Sequence, residues 1–148
     1  MKLQTLLVIG CAAATLSLPA CGAPATFVRA SSMADPQEQW STIEVRTTVS
    51  YDQAWEAVLD TLVKQFELAI LSRPDGYMRT NWFYTWGGTR SEKYRVRVTV
   101  KFSADYTRVS LKSEAEYGGE GRWEPGYDTR LLTQLKNDMM GLVGSTAR

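Results

Sequence analysis

Two neighbouring stretches of strict alternation constrain this chain more than any other feature. Residues 92–102 and residues 107–117 each alternate apolar or small side chains with polar or charged ones. A period of two is typical of a strand with one buried face. The side chains predicted to point inward are Tyr94, Val96, Val98, Val100 and Phe102 in the first stretch, and Val109, Leu111, Ser113, Ala115 and Tyr117 in the second. A tight turn at Asp105-Tyr106 would join them as a hairpin.

The outward face of this hairpin carries a basic row with two interpretations. The row consists of Arg95, Arg97, Lys101, Arg108 and Lys112. The predicted register sets Val100 opposite Leu111 and Phe102 opposite Val109, which places Arg97 opposite Glu114 and Arg95 opposite Glu116. Opposite charges that face each other across strands stabilise a sheet by about 0.2–1 kcal/mol per pair. Cross-strand ion pairs are therefore the first interpretation, and an anion-binding stripe is the alternative.

Two stretches have the 3.6-residue period of amphipathic helices. Ser50 and Gln53 have the spacing of a capping box, and a helix is predicted from there to Phe66. Its apolar face is Ala54, Trp55, Val58, Leu59, Leu62, Val63 and Phe66, in which Trp55 is predicted to be core rather than a ligand-stacking aromatic. Asp128 is predicted to cap a last helix whose apolar face is Leu131, Leu132, Leu135, Met139, Leu142 and Val143.

The remaining predicted strands are residues 41–50, 68–72 and 77–86. A turn at Arg73-Pro74-Asp75-Gly76 separates the last two, and glycine-rich residues 118–127 are predicted to be a long loop. The element order is β-α-β-β-β-β-α. This predicts an α+β class, in which a mostly antiparallel sheet of about five strands carries both helices on one face as in helix-grip domains. The predicted domain spans residues 40–148.

The N-terminal residues have the layout of a secretory signal. Lys2 precedes an apolar run from Leu3 to Leu18, which is shorter than the ~20 residues that a spanning helix needs. The run ends in Leu18-Pro19-Ala20-Cys21, which resembles the lipobox of bacterial lipoproteins. The resemblance implies that residues 1–20 are a signal peptide and that Cys21 carries diacylglycerol. The alternatives are a lipobox at Cys11, and a plain secretion signal in which Cys21 is an ordinary buried cysteine.

The lipoprotein signal implies a location and a layout. Cys21 would anchor the protein in the bilayer, and residues 21–39, rich in Gly, Ala, Pro and Ser, are predicted to be the lipidated cysteine and a flexible tether. Gly22 stands where relatives kept at the inner membrane have aspartate. The expected location is therefore the outer membrane, with the domain facing the periplasm.

Composition excludes several classes of function. The chain has no histidine, and its two cysteines are Cys11 and Cys21, so triad hydrolases and zinc sites are not expected. The formal net charge of +1 falls to zero when Lys2 is removed, which argues against nucleic-acid binding. The acidic residues Glu120, Glu124 and Asp128 match no calcium-loop pattern. We expect no enzymatic activity and no cofactor.

A second resemblance concerns the domain itself. The amphipathic helix from Tyr51 to Phe66, the short strand Leu68 to Ser72, and the segment Gly76-Tyr77-Met78-Arg79-Thr80-Asn81-Trp82 follow one another. This succession resembles the helix-grip domains of BamC, an accessory lipoprotein of the outer-membrane β-barrel assembly machine. The likeness covers about residues 43–143. The resemblance implies the helix-grip fold, the outer-membrane address and an accessory role in barrel assembly. The chain departs from BamC in having one such domain where BamC has two, and the fold and address can be shared without the role.

Two functions follow from these observations. The first is a non-enzymatic docking module for an envelope protein partner, in which aromatic and arginine side chains of the glycine-rich loops make the contact. The candidate residues are Trp86, Arg90, Arg122, Trp123 and Tyr127. The alternative is a carrier or sensor of a hydrophobic small molecule or lipid. Its cavity would lie where the small side chains of Thr80, Ser113 and Ala115 leave room beside Trp55 and Trp82.

Overall fold

A computed structural model of the chain describes residues 22–84, 92–119 and 121–145. Its strands are β1 (Phe27–Arg29), β2 (Trp40–Glu44), β3 (Leu68–Ser72), β4 (Tyr77–Thr80), β5 (Tyr94–Phe102), β6 (Arg108–Gly119) and β7 (Arg122–Asp128). The helices are α1 (Tyr51–Val63) and α2 (Thr129–Val143), and two short 3₁₀ helices, Ala30–Ser32 and Pro36–Gln39, connect β1 to β2. The predicted α+β class with an antiparallel sheet is confirmed, although the sheet has seven strands rather than about five.

The sheet is organised around the long strand β6. Strand β5 pairs with it on one side, and β2 and β7 share its other side, β2 along Arg108–Lys112 and β7 along Ala115–Gly119. The full order is β1-β7-β6-β5-β4-β3, so β1 and β3 form opposite edges. In the β5–β6 hairpin, Val100 lies opposite Leu111, Phe102 opposite Val109, Arg97 opposite Glu114 and Arg95 opposite Glu116. The predicted register is therefore confirmed.

Both helices pack on one face of the sheet, as predicted. The predicted inward residues of β5 and β6 are buried, except for Tyr117, which is partly buried. The core joins them to Trp55 and Leu62 of α1 and to Leu131 and Leu135 of α2, and the Trp55 ring lies 5.9 Å from that of Phe102. Trp55 is thus a core residue. The far ends of the predicted apolar faces are half exposed: Val63 at 49% and Leu142 at 48%.

The predicted helix starts are confirmed in atomic detail. Ser50 accepts a hydrogen bond from the backbone N–H of Gln53, and the Gln53 side chain accepts one from the N–H of Ser50. Asp128 caps α2 by accepting from the N–H of Leu131 at 2.8 Å. The turn after β3 is also as predicted, since Gly76 has a φ of 59°, a value that favours glycine.

The predicted tether is the main correction to the sequence analysis. Phe27 is 8% exposed and its strand β1 pairs with β7, Phe27 lying opposite Asp128 and Arg29 opposite Gly126. Residues 30–39 then fold as the two 3₁₀ helices, the second of which has its own capping box between Asp35 and Glu38. Residues 27–39 therefore belong to the domain, which starts before residue 40.

Three other boundaries differ from prediction. Residues 122–127, predicted as part of a loop, belong to strand β7, which pairs with β6 as far as Gly119 opposite Arg122, and Gly121 between the two strands has a φ of 80°. The predicted strand 77–86 ends at Thr80, and residues 85–91 lie outside the described part. The predicted strand 41–50 ends at Glu44. In the described ranges, no helix has the length and apolar character needed to cross a bilayer.

Candidate functional site

The face of the sheet opposite the helices carries a cluster of aromatic rings and arginines, which we call the open-face cluster: Trp82, Arg95, Arg97 and Trp123. The guanidinium carbon of Arg95 lies 4.5 Å from the centroid of the Trp82 ring and 4.1 Å from that of Trp123. Arg95 is therefore held between two indoles. The guanidinium carbon of Arg97 also lies 4.4 Å from the centroid of the Trp82 ring, and each such contact contributes about 0.5–2 kcal/mol.

Ion pairs across strands fix the arginines in this position. Arg95 donates to Glu116 through Nε at 2.7 Å, and Arg97 donates to Glu114 through Nε and an Nη, both at 3.1 Å. The side chains of these four residues are 19–26% exposed. The predicted cross-strand pairs are confirmed. The guanidinium groups that an anion-binding stripe would have to offer are therefore already bonded to carboxylates.

Glu114 is the most heavily bonded carboxylate of this face. It also accepts from Nζ of Lys112 at 3.3 Å and from the hydroxyl of Thr99 at 3.3 Å. Burial alone would raise the pKa of Glu114, but the hydrogen bond from Arg97 and the positive charges of Lys112 and Arg97 outweigh it and hold that pKa below its ordinary value. Glu114 is therefore a fixed negative charge that keeps Arg97 beneath Trp82.

The open face is basic overall beyond these pairs. Arg79 of β4 lies opposite Thr99 on the same face, and its buried Nε has no hydrogen-bond partner among the described residues. Arg122 is exposed at the start of β7 but alternates with Trp123, so it belongs to the other side of the sheet. Arg79, Arg95 and Arg97 still outnumber the carboxylates of Glu114 and Glu116, which suits a partner that offers carboxylate or carbonyl oxygens.

A cleft of about 210 Å³ adjoins the open-face cluster. Its lining includes Trp82, Met33 and Gln39 of the N-terminal segment, and Glu114 and Glu116 of β6. The N-terminal residues that were expected to be a tether therefore help to shape this face.

The five predicted docking residues fall into three groups. Trp86 and Arg90 lie outside the described residues. Arg122 and Trp123 lie on β7, and Trp123 belongs to the open-face cluster. Tyr127 was predicted to be an exposed loop residue, which is wrong: it is 8% exposed within β7, and burial together with the nearby charge of Glu38 raises its pKa.

Trp82 and Arg95 were not among the predicted docking residues: Trp82 was expected beside the carrier cavity, and Arg95 in the basic row. Strict alternation along residues 77–86 placed Trp82 on the same face as Met78 and Thr80. Because β4 ends at Thr80, the alternation stops there and the Trp82 ring lies on the open face instead. Phe83 forms an isolated bridge to Val96, and its ring packs 5.4 Å from that of Phe66. The basic row pointed to Arg95, but nothing in that row indicated its aromatic partners, Trp82 and Trp123.

A buried carboxylate lies behind the site, at the junction of β1, β7 and α2. Asp128 is fully buried and accepts hydrogen bonds from Thr26 at 2.7 Å, from the N–H of Leu131 and from the hydroxyl of Tyr94. Burial, with the hydrogen bond to Asp128 and its negative charge, raises the pKa of Tyr94 far above its ordinary value. These groups bond one another within the core, which is a structural role.

The acidic residues of the β6–β7 region do not gather at a cation site in the described part. Glu124 pairs with Arg29 at 2.8 Å, Asp128 is engaged as above, and Glu120 lies outside the described residues. Across the described ranges, no group of three or more potential metal ligands occurs.

Comparison of the chain with protein-family models and with curated proteins found no match. The open-face cluster is therefore interpreted from its own residues and their contacts.

Proposed function

We propose that this chain is a lipid-anchored protein of the bacterial envelope that docks on a protein partner through the open-face cluster. The observation that carries the proposal is Arg95 held between Trp82 and Trp123 on the sheet face that the helices leave open. Tryptophan and arginine are the residue types that dominate binding hot spots. Because the ion pair to Glu116 has already fixed Arg95, a partner would lose little side-chain entropy in ordering it.

The anchor in this proposal is Cys21, on the strength of the lipobox-like Leu18-Pro19-Ala20-Cys21. Acylation of Cys21 would hold the domain in the periplasm. The outer membrane is the expected location because Gly22 stands where lipoproteins kept at the inner membrane have aspartate. The resemblance to BamC makes the β-barrel assembly machinery the partner to test first. The basic excess of the open face favours a partner segment that is acidic or rich in free carbonyl groups.

The carrier alternative has less support, because the side chains that were expected to border its cavity are arranged differently. Trp82 and Trp55 lie on opposite faces of the sheet, since Trp82 packs on Arg95 and Trp55 packs on Phe102. The small inward residues are also engaged. Ser113 bonds the backbone of Asp128 in both directions at 3.1 Å, and the hydroxyl of Thr80 accepts from the N–H of Val98 at 3.0 Å.

The experiment is a crosslinked pull-down of the full-length protein from detergent-solubilised envelopes. Recovery of barrel-assembly components should fall at least several-fold for Trp123→Ala and for Trp82→Ala. The matched control is Leu142→Ala, which removes a half-exposed apolar side chain from the helical face and should leave recovery unchanged. A Cys21→Ala variant shows whether anchoring is needed.

Two results would contradict the proposal. Equal recovery by the tryptophan variants and wild type would move the docking site elsewhere on the domain. Recovery of no protein partner, together with lipid in the purified material, would overturn docking as the function and restore the carrier. Circular dichroism of each variant separates a lost contact from a lost fold.

A further inference from the structure

The geometry points to a membrane-facing edge: we propose that the β1 edge of the sheet, with the first turn of α2, lies against the lipid headgroups of the bilayer that holds the anchor. This inference rests on the acylation of Cys21 in the proposed function. It goes beyond that function by fixing how the domain is oriented.

Very little free chain separates the anchor from the folded domain. Ala23, two residues beyond Cys21, is partly buried and packs against the hydrophobic core. Pro24 accepts a hydrogen bond from the N–H of Phe27 at 2.9 Å. Two extended residues span about 7 Å. A tether running from Gly22 to Gln39 would instead span about 60 Å at full extension, so the folded N-terminal segment removes nearly all of the expected freedom.

The N-terminal segment around Thr26 and Phe27 is firmly held by the core. Thr26 bonds Asp128 through its hydroxyl, and its carbonyl accepts from the N–H of Thr129 at 2.9 Å. The Phe27 ring packs edge-on to that of Tyr94, with centroids 5.9 Å apart. Because Asp128 and Tyr94 are core residues, releasing the segment would leave a buried carboxylate short of a donor. The anchor is therefore joined to a rigid part of the domain.

The charged side chains at the β1 edge are Arg29, its partner Glu124, and Arg130 of α2. Arg29 pairs with Glu124 at 2.8 Å and is thus neutralised, and Arg130 is exposed in the first turn of α2. A cation exposed beside the edge suits a headgroup layer whose phosphates are negative. Strand β3 forms the opposite edge, five strand spacings or about 24 Å away.

The test uses the acylated full-length protein in liposomes that contain a headgroup-labelled nitroxide phospholipid. Cys11 leaves with the signal and the Cys21 thiol is acylated, so a single introduced cysteine can take a fluorophore without competition. Thr133→Cys, exposed on α2 one turn beyond Arg130, reports on the β1 edge and leaves Arg130 in place. The matched control is Leu71→Cys, which is 51% exposed on β3. We expect several-fold stronger quenching at residue 133 than at residue 71.

A second variant, with a 16-residue Gly-Ser insertion between Gly22 and Ala23, should lose this difference while it still floats with the liposomes. Equal quenching at the two positions in the parent protein would overturn the membrane-facing edge and leave acylation intact. Failure of the parent protein to float with liposomes would overturn both the anchor and the edge. Flotation and quenching therefore distinguish the two failures.

Discussion

The hydroxyl of Thr26 donates a 2.7 Å hydrogen bond to the carboxylate of Asp128, which is 102 residues away in the chain. The same carboxylate caps α2 and accepts from Tyr94. One buried acidic residue thus fastens the first strand, a central strand and the last helix together. Because this carboxyl group is fully buried, the loss of one of its hydrogen bonds costs more than the loss of a hydrogen bond at the surface.

Thr26→Val should therefore destabilise the domain although it preserves the shape of the side chain. The variant removes one donor from a buried carboxylate, and we expect a loss of about 1–3 kcal/mol in the free energy of unfolding. Urea denaturation of residues 22–148 measures this. Thr48→Val, at an exposed position, is the control and should change little. Equal stability of the two variants would show that the Thr26 bond adds nothing.

Gly126 should tolerate no side chain, because β1 crosses it closely. A Cβ at Gly126 would lie 2.1 Å from the carbonyl oxygen of Val28 and 2.6 Å from the Phe27 ring. Gly126→Ala should therefore separate β1 from β7 and expose residues 22–39 to limited proteolysis. Gly141→Ala is the matched control: nothing lies within 4 Å of its Cβ, and alanine in a helix should stabilise by about 0.5–1 kcal/mol. Resistance of Gly126→Ala to cleavage would contradict this packing.

Local patterns in the sequence were sufficient for the central hairpin and the helices. The alternation in β5 and β6 predicted which side chains point inward, and the tight turn at Asp105-Tyr106 predicted the register that sets Arg97 opposite Glu114. The caps at Ser50 and Asp128 involve residues three positions apart, so a short window contains the whole signal. These elements are confirmed because their determinants are local or periodic.

The elements that were missed depend on contacts distant in sequence. Strand β1 has three residues and no alternation, and it forms because Gly126 leaves room for Phe27. Strand β7 contains glycine and proline, which disfavour strands, and is held by pairing with β6. For the same reason, only part of the open-face cluster could be predicted from the sequence. The Arg95–Glu116 pair followed from register, whereas the position of Trp82 depends on where β4 ends.

Tyr94→Phe should change how stability depends on alkaline pH. Burial and the bond to Asp128 raise the pKa of Tyr94 above its ordinary value of 10.0. Above pH 10 the folded state therefore holds a proton that the unfolded state releases, and stability falls as the pH rises, by up to about 1.4 kcal/mol per pH unit. Tyr94→Phe should be less stable than wild type at pH 8 and should have a smaller alkaline slope, part of which remains because the pKa values of Tyr51 and Tyr127 are also raised. Thr48→Val, at an exposed position, should keep the wild-type slope, and a wild-type slope in Tyr94→Phe would contradict the assignment.

Glu114→Gln tests the electrostatics of the open face from the acidic side. The pKa of Glu114 is held below its ordinary value of 4.5, so its contribution to stability is fully present above that pH and is lost as the pH falls through the lowered value. The amide cannot form the ion pair with Arg97, and we expect a loss of about 1 kcal/mol at pH 7. That difference from wild type should shrink steadily below pH 4.5, because wild-type Glu114 then becomes protonated as well. Urea denaturation between pH 2 and pH 7 measures it, with Asn137→Ala on the exposed side of α2 as a control that should stay parallel to wild type. A constant deficit across this range would show that packing, rather than the charge on Glu114, holds Arg97 beneath Trp82.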